Sequence, residues 1–422
     1  MTTSQASVTA DARLPLVLLI TLGALTAIST LGTDIYLAAM PTMVDDFLTT
    51  PAWVQATLTA YVIGMAAGQL VLGTLSDSIG RRNLLIIGTA VSLIASALSA
   101  IAPTIELMLL FRLLAGIGAS AGVVIGRAVV SDLTAGSETA RVFSILGLIG
   151  GVGPVIGPVI GAVMLEWSAW PVIFWTLTAL CAATLVAVCI GVPESLPIER
   201  RTSSAPAHVM RSFASVLRTR SFVLGSVMMC LGVGATFAYI SASPFAVQSI
   251  LGFSPTGYTI VFAINGIGLT LMGAVAAKLS RRISIVKLCL VGLGILTAGG
   301  LALLSIALLH VITPFTLLPS LFLASIGMGF VFGPGTALVI TDVRFAAGTA
   351  LALLGCAQYL IGGIAAPLAG IAGEFSILPL AIIVTVGGAG AIVALLAMRN
   401  GVSETTAGVT DEVAARPPSE IS

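Results

Sequence analysis

One carboxylate stands out in this sequence because it lies inside a long apolar run. Asp34 follows a stretch of apolar residues that begins near residue 15, and Pro41 comes shortly after it. Counting back from Pro41 at about 1.5 Å per residue, Asp34 lies roughly 10 Å inside the end of such a helix. An ionisable residue within an apolar helix is costly to keep and is a functional candidate by default.

Arg112 offers a matching positive charge. It lies six residues after Glu106, in another apolar run that enters from the same side as the end of the first. We therefore expect Asp34 and Arg112 at similar depth. A carboxylate that responds both to water access and to a nearby guanidinium can act as a proton switch. Two further interpretations stay open: a static ion pair that fixes helix packing, and direct contact of Asp34 with a cationic substrate.

A second group of charges lies in the short segment GTLSDSIGRR, residues 73–82. Asp77 ends one apolar run, and Arg81 and Arg82 precede the next. We expect Asp77 to face a helix N-terminus, whose dipole favours a negative charge, or to bridge to an arginine of the other half of the protein. Such contacts would hold one side of the protein closed. Gly73 and Gly80 complete the motif.

Small residues and prolines recur on one face of the fifth apolar run. Small residues let another helix approach closely, and proline removes an internal helix hydrogen bond. This pattern suits a point at which two halves of a membrane protein move against each other, whereas a plain glycine-rich span is the simpler alternative. The stripe comprises Gly147, Gly150, Gly151, Gly153, Pro154, Gly157, Pro158 and Gly161.

The composition requires a membrane environment for these groups. Apolar residues make up 58% of the 422 residues and charged residues only 8%, against roughly 25% charged residues in soluble domains. The net charge of +1, without a basic patch among aromatics, argues against nucleic-acid binding. The five scattered cysteines and two distant histidines indicate no metal site. We expect no enzyme activity and no cofactor apart from a coupling proton.

Windows of about 20 apolar residues predict twelve membrane-spanning helices. If both termini are cytoplasmic, every loop lysine and arginine falls on the cytoplasmic side, which is the usual bias. The sequence thus predicts a multi-pass protein of the cytoplasmic (inner) membrane. The predicted spans are 15–39, 53–75, 83–102, 105–128, 139–164, 169–192, 221–245, 256–278, 284–309, 313–340, 346–372 and 376–398.

A Pro-, Ser- and Arg-containing segment divides these spans six and six. The two halves share weak similarity, since Leu-Ser and then Arg-Arg follow both the second and the eighth span. Paired repeats are typical of secondary transporters. We expect an all-α protein of two pseudo-symmetric six-helix bundles: a cytoplasmic N-terminus at 1–14, bundles at 15–192 and 221–398, a linker at 193–220, and a disordered cytoplasmic tail at 399–422. The linker holds either a short surface helix near 210–217 or a plain tether.

The motifs together resemble the major facilitator superfamily, and within it the twelve-span drug:proton antiporters. Residues 73–82 fit the loop signature G-x-L-[AS]-D-x-x-G-R-[RK] of that superfamily throughout. Arg112 followed by Gly116 and Gly118 resembles its fourth span, and the stripe of the fifth span resembles the pattern of antiporters. The resemblance covers nearly the whole chain and implies transport by alternating access.

The end of the first span carries a closer likeness. Residues 33–41, TDIYLAAMP, resemble the D-[MI]-Y-L-P-A-[LMV]-P pattern of bicyclomycin and chloramphenicol (phenicol) resistance exporters, with Ala38 in place of the first proline. This likeness implies proton-coupled efflux of small amphipathic drugs or antibiotics. The alternatives are export of an endogenous metabolite, such as a sugar or amino acid, and a membrane sensor without transport.

A substrate cavity needs a few polar and aromatic groups on an apolar wall. With so little fixed charge, the expected partners are the lipid bilayer and a small neutral or monocationic amphipathic substrate, bound by a monomer. The candidate cavity residues are Tyr36, Tyr61, Gln69, Tyr239, Asn265, Gln358 and Tyr359.

Overall fold

A computed structural model of the chain describes residues 14–198, 201 and 214–414. Twelve helices in this part of the chain are long and apolar enough to cross a membrane, as the sequence predicts, and the described residues contain no strand. The spans, named in chain order, are α1 Leu16–Asp46, α2 Pro51–Ile79, α3 Arg81–Ala100, α4 Ile105–Leu133, α5 Arg141–Trp167, α6 Pro171–Gly191, α7 Arg220–Ile250, α8 Pro255–Leu279, α9 Ile285–Leu309, α10 Pro314–Val343, α11 Thr349–Ala369 and α12 Leu378–Met398.

Proline and hydroxyl residues set many of the helix starts. Pro51, Pro171 and Pro314 occupy the first turn of their helices, where the missing N–H costs nothing. The Thr104 side chain accepts a hydrogen bond from the Leu107 N–H and so caps α4. Thr313 and Thr316 form a reciprocal capping box at the start of α10. Proline and capping residues in the sequence therefore mark the positions at which these spans begin.

The ends of α1 and α7 lie beyond their predicted positions and contain a change of helix type. In α1 the helix Leu16–Asp34 is followed by a 3₁₀ turn, Leu37–Ala39, and a short helix, Met40–Asp46. Pro41 is tolerated because it lies in the first turn of that short helix. In α7 the chain continues beyond Pro244 as a π-helical turn, Phe245–Ile250. In both cases a break in the α-helical hydrogen bonding accommodates extra residues.

The chain forms two compact units. The first comprises residues 1–205, 240–266 and 366–376, and the second comprises residues 206–239, 267–365 and 377–422. The first unit thus contains α1–α6 together with the end of α7, the first half of α8 and the end of α11. Within it α4 packs on α1, α2 and α3, α5 and α6 pack on α1, and α6 packs on α3. Within the second unit α9 packs on α10 and α12.

The same kind of close helix contact occurs in each unit. A Cβ added to Gly118 of α4 would lie 2.5 Å from the Gly88 carbonyl oxygen of α3. A Cβ added to Gly327 of α10 would lie 2.6 Å from the Gly292 carbonyl oxygen of α9. Only glycine permits this backbone approach. Because α3 and α4 occupy the same places in the first six spans as α9 and α10 in the second six, these contacts fit an internal repeat.

The last helix differs from the expected tail. It runs from Leu378 to Ala414, so residues 399–414 are helical rather than disordered as expected. The physical reason is that residues 399–414 contain no proline and only two separated glycines, Gly401 and Gly408, so no residue removes a hydrogen bond from the helix that α12 begins. Residues 415–422 lie outside the described part, as do residues 1–13 and most of the linker. Residues 214–217 of the linker form one helical turn.

The first unit has two ends, each named here after one of its residues. The Arg81 end is the end at which α2 meets α3, α4 meets α5, and α6 finishes. The Asp46 end is the opposite end, at which α1 meets α2, α3 meets α4, and α5 meets α6.

Candidate functional site

Asp34 lies at the end of the first helical segment of α1, where the helix gives way to the 3₁₀ turn. Its exposed fraction is 5%. The backbone of α5 passes directly beside it, since a Cβ added to Gly157 would lie 3.4 Å from the Asp34 Cβ. The acid is therefore buried between two helices, next to a break in one of them.

Arg112 of α4 is almost wholly buried, with 1% exposed. Its Nη2 donates a hydrogen bond of 2.6 Å to the Gly32 carbonyl oxygen of α1. Its guanidinium carbon lies 4.5 Å from the ring centre of Tyr36 and 4.3 Å from that of Tyr61. The ring of Phe174 lies 5.7 Å away. Cation–π attraction and one carbonyl thus hold a charge that has no water around it.

The expected ion pair between Arg112 and Asp34 is absent from this structure. The bond to Gly32, two residues before Asp34, places Arg112 at the expected depth. No Arg112 nitrogen, however, lies within 4.0 Å of an Asp34 carboxylate oxygen, and the buried Nε of Arg112 has no hydrogen-bond partner. The reason is that the aromatic rings and the Gly32 carbonyl occupy the guanidinium. A static Asp34–Arg112 pair is therefore wrong as a description of this conformation.

Tyr36 and Tyr61 pack around Arg112. Tyr36 is fully buried, and its hydroxyl shares a hydrogen bond of 3.0 Å with the Thr57 hydroxyl. The Tyr61 hydroxyl donates to the Ser29 carbonyl oxygen at 3.1 Å. These hydroxyls pin α1 to α2 on both sides of the guanidinium. Both tyrosines, expected in the substrate cavity, are buried packing residues in this conformation.

The other candidate cavity residues are divided between the units. Gln69 and Asn265 belong to the first unit; Gln69 is half-buried, whereas Asn265 is buried. Tyr239, Gln358 and Tyr359 belong to the second, in which Tyr359 meets the ring of Phe237 edge-on at 6.4 Å between ring centres. Each unit thus contributes polar and aromatic candidates.

Three glycines of the stripe in α5, Gly153, Gly157 and Gly161, pack closely against α1 of the same six spans. A Cβ added to Gly161 would overlap the Ile35 carbonyl oxygen, and one added to Gly157 would lie 3.3 Å from the Ile35 nitrogen. A Cβ added to Gly153 would overlap the Thr30 side chain. The stripe, expected to face the other half, therefore holds α5 against the break beside Asp34.

The neighbouring face of α5 does meet α8. The Thr259 hydroxyl donates to the Pro158 carbonyl oxygen at 3.2 Å. A Cβ added to Gly266 would lie 3.0 Å from Val155 Cγ2. Helix α5 thus contacts Asp34 on one face and α8 on the neighbouring face.

Further contacts join the first spans to the ends of α7, α8 and α11 at the Asp46 end; we call them the Asp46-end contacts. The buried Gln55 side chain donates to the Ser241 carbonyl oxygen at 3.2 Å. A Cβ added to Gly370 would overlap the side-chain amide of Gln55. Gln248 donates to the Ala38 carbonyl oxygen at 3.1 Å. The Thr256 hydroxyl donates to Glu166. The sequence did not predict these contacts, because a single glutamine in an apolar helix does not indicate which residue it binds.

At the Arg81 end the loop motif is organised around Arg81. Its guanidinium makes ion pairs with Asp77 at 2.7 Å and Asp132 at 3.2 Å. Both acids belong to the same six spans, so the bridge expected from Asp77 to the other half is absent here. Arg82 donates to the Cys189 carbonyl oxygen at 2.6 Å. The motif thus ties α2, α3, α4 and α6 together.

Glu194 completes this cluster, and sequence reasoning had assigned it only to the linker. Its carboxylate accepts the Arg81 backbone N–H at 2.9 Å and forms an ion pair with Arg201 at 3.4 Å. It therefore caps the N-terminus of α3. Gly80 has φ +110°, and a Cβ there would overlap the Glu194 carboxylate. The signal was available: Glu194 follows the sixth span directly and so returns to the end that carries Arg81.

Comparison with known proteins gives this arrangement a family. The sequence matches the Major Facilitator Superfamily over residues 22–367. It is 32% identical over 357 residues to the uncharacterized MFS-type transporter YdgK of Bacillus subtilis, covering 83% of this chain and 87% of the relative. It is 26% identical over 326 residues to the multidrug resistance protein MdtL of Vibrio parahaemolyticus, covering 77% and 81%.

A third relative is the chloramphenicol resistance protein of Pseudomonas aeruginosa, 29% identical over 277 residues, or 65% of each chain. Among solved structures, the fold is similar to that of the xylose transporter XylE of E. coli, with a TM-score of 0.68, 15% identity, and coverage of 91% of this chain and 97% of that chain. The chain therefore belongs to the Major Facilitator Superfamily, and it is a multi-pass membrane transporter rather than an enzyme.

Proposed function

We propose that this transporter exports small amphipathic compounds in exchange for protons. The observation that carries the proposal is Asp34, a carboxylate that is 5% exposed in a membrane-spanning helix and has no ion pair with Arg112. A buried carboxyl group can release its proton only where the charge left behind is accommodated. Loss of that proton leaves a charge that must find water, a cation or Arg112.

The surroundings of Asp34 support a coupling between its proton and helix movement. Asp34 adjoins the helix break of α1, and α5 packs on the same break through Gly157 and Gly161. When Asp34 loses its proton, attraction to Arg112 competes with the Gly32 carbonyl and the aromatic rings that hold the guanidinium. A shift of either group moves α1 against α5, and α5 also contacts α8. Proton binding and release would thereby bias alternating access.

The relatives' names support the class of cargo. Two of the relatives are named for multidrug resistance and for chloramphenicol resistance. The sparse fixed charge of this chain, 8% of residues, suits compounds that cross apolar surroundings. We therefore propose drugs or antibiotics of modest size, neutral or singly charged, as substrates carried by a single copy of the chain.

Efflux measurements test this function. Cells that express the protein should retain less chloramphenicol and less of a panel of dyes than cells with the empty vector. A protonophore should erase the difference, because the protein itself supplies no other energy source. Equal retention of every compound in both cell lines would contradict the proposal. Efflux that withstands the protonophore, after ATP depletion, would contradict proton coupling alone.

We also propose that the Arg81 end faces the cytoplasm of the cell's inner membrane. The loop arginines of the first unit, including Arg81 and Arg82, support this orientation. Single cysteines in a cysteine-free background test it. Asp45→Cys, at an exposed position, should react with an impermeant maleimide added to whole cells, whereas Ser203→Cys in the linker should react only after permeabilisation. The reverse pattern would invert the orientation.

A further inference from the structure

A second arginine of α4, Arg127, is exposed and has no role in the proposed proton site. Arg127 lies on α4, six residues before the helix ends at Leu133, so it is about 9 Å inside the span from the Arg81 end. Asp132, Glu138 and Arg141 follow it in the sequence, a spacing that suits either a charge cluster with Arg127 or solvated loop charges. The structure pairs Arg141 with Glu138 and Asp132 with Arg81 instead. The Arg127 guanidinium makes no hydrogen bond or ion pair with any residue that the structure describes.

Arg127 borders a cavity of about 290 Å³ between α1, α4 and α5. The other lining residues are Thr26, Val123, Phe143, Leu146 and Gly147. The walls are therefore mostly apolar, with one aromatic ring and one hydroxyl, and among the residues that the structure describes Arg127 is the only ionisable one lining the cavity. The volume is at the lower end of the range for small-molecule sites.

The space beside Arg127 is open on the α5 side. Gly147 is exposed, and a Cβ placed there would meet no atom within 4 Å. Gly147 differs in this respect from Gly157 and Gly161, because α1 occupies the space that a side chain at either of those two positions would need. A guanidinium facing hydrocarbon would be costly, so the side that Arg127 faces must offer water or an anion.

We propose that this cavity is a binding site for amphipathic monocarboxylates. The Arg127 guanidinium would receive the carboxylate through paired N–H donors, and the apolar wall with Phe143 would receive the aromatic or branched body. The proposal rests on the proposed function in that it extends the substrates from neutral and cationic compounds to monoanions. It places their first binding site on the Arg81 side of Asp34.

Purified protein in a neutral detergent tests this with two probes of the same shape, 1-naphthoate and 1-naphthamide. The wild-type protein should bind the acid about tenfold to a hundredfold more tightly than the amide, as expected for a charge-assisted hydrogen bond. Arg127→Gln should bring the two dissociation constants together, and Arg127→Lys should keep part of the difference. Gly147→Leu should weaken binding of the acid by filling the cavity without displacing backbone.

Arg141→Gln is the matched control, because it removes one positive charge from the same end at a residue that does not line the cavity. It should keep the wild-type preference for the acid. Equal affinity of the wild type for acid and amide would overturn the proposal, as would an unchanged preference in Arg127→Gln or an equal loss in Arg141→Gln. Failure of the proposed export function would be seen in a different experiment, as the absence of protonophore-sensitive efflux of neutral compounds. The binding constants for the two probes could still be measured in that case.

Discussion

Asp34→Asn is expected to abolish uphill efflux while the protein stays folded in the membrane. Asparagine has the shape of the protonated acid but cannot release a proton, so the exchange loses its driving force. One charge moved through 100 mV is worth about 2.3 kcal/mol, which sustains roughly a fiftyfold concentration ratio of a neutral substrate. The ratio should fall to about one in Asp34→Asn. Everted vesicles energised with a defined potential provide the measurement.

Asp45→Asn is the matched control for this change. It removes a carboxylate from the same span, α1, at an exposed position near the Asp46 end. It should keep the wild-type ratio. Substrate-induced proton release from the purified protein gives a second readout, which should be present in the wild type and in Asp45→Asn and absent from Asp34→Asn. A release of wild-type size from Asp34→Asn would move the proton site elsewhere.

The second large effect is expected from one methyl group, in Gly161→Ala. The added Cβ would overlap the Ile35 carbonyl oxygen, which is backbone and cannot rotate away. Helix α5 must then move from the break beside Asp34, at a cost of about 1–3 kcal/mol for overpacking. We expect at least about tenfold slower efflux with a lower unfolding temperature of the purified protein, since each 1.4 kcal/mol corresponds to a factor of ten.

A graded series of alanine substitutions on α5 separates contact from helix propensity. Gly153→Ala would overlap the Oγ1 and the Cβ of Thr30, and because a Cβ cannot rotate away, its effect should approach that of Gly161→Ala. Gly157→Ala meets the α1 backbone at 3.3 Å and should be milder. Gly151→Ala meets nothing within 4 Å and should behave as wild type. If all four behaved alike, the stripe would be ordinary packing.

Much of the fold could be predicted because the signals are local. Span length follows from hydropathy, and span starts follow from residues such as Pro51 and Thr104. The extension of α1 to Asp46 could not be predicted, because a hydrophobicity window does not detect a 3₁₀ turn after Asp34. The helical continuation to Ala414 could not be predicted either, because a polar composition suits both a disordered tail and a solvated helix.

The candidate site was predicted only in part. The depth of Arg112 followed from counting residues, and its bond to Gly32 agrees. The residues that Arg112 contacts could not be predicted by counting, because Tyr36, Tyr61 and Phe174 come from three different helices and meet only in the folded protein. The spacing of the glycines in α5 predicts that they share one helix face. Which helix packs on that face depends on how α5 is rotated about its axis, and sequence periodicity does not determine that rotation.

The Asp46-end contacts have a consequence for how the sequence can drift. In two of these contacts the acceptor is a backbone oxygen, since Gln55 donates to Ser241 and Gln248 donates to Ala38. The bond from Thr259 of α8 to the Pro158 carbonyl oxygen of α5 is of the same kind. A main-chain acceptor is present whatever side chain its residue carries. Mutations at the accepting positions therefore keep the hydrogen bond, whereas mutations at the donors remove it. Half of each contact is free to vary over evolutionary time, so a closure of this kind can persist between proteins whose sequences have become largely different.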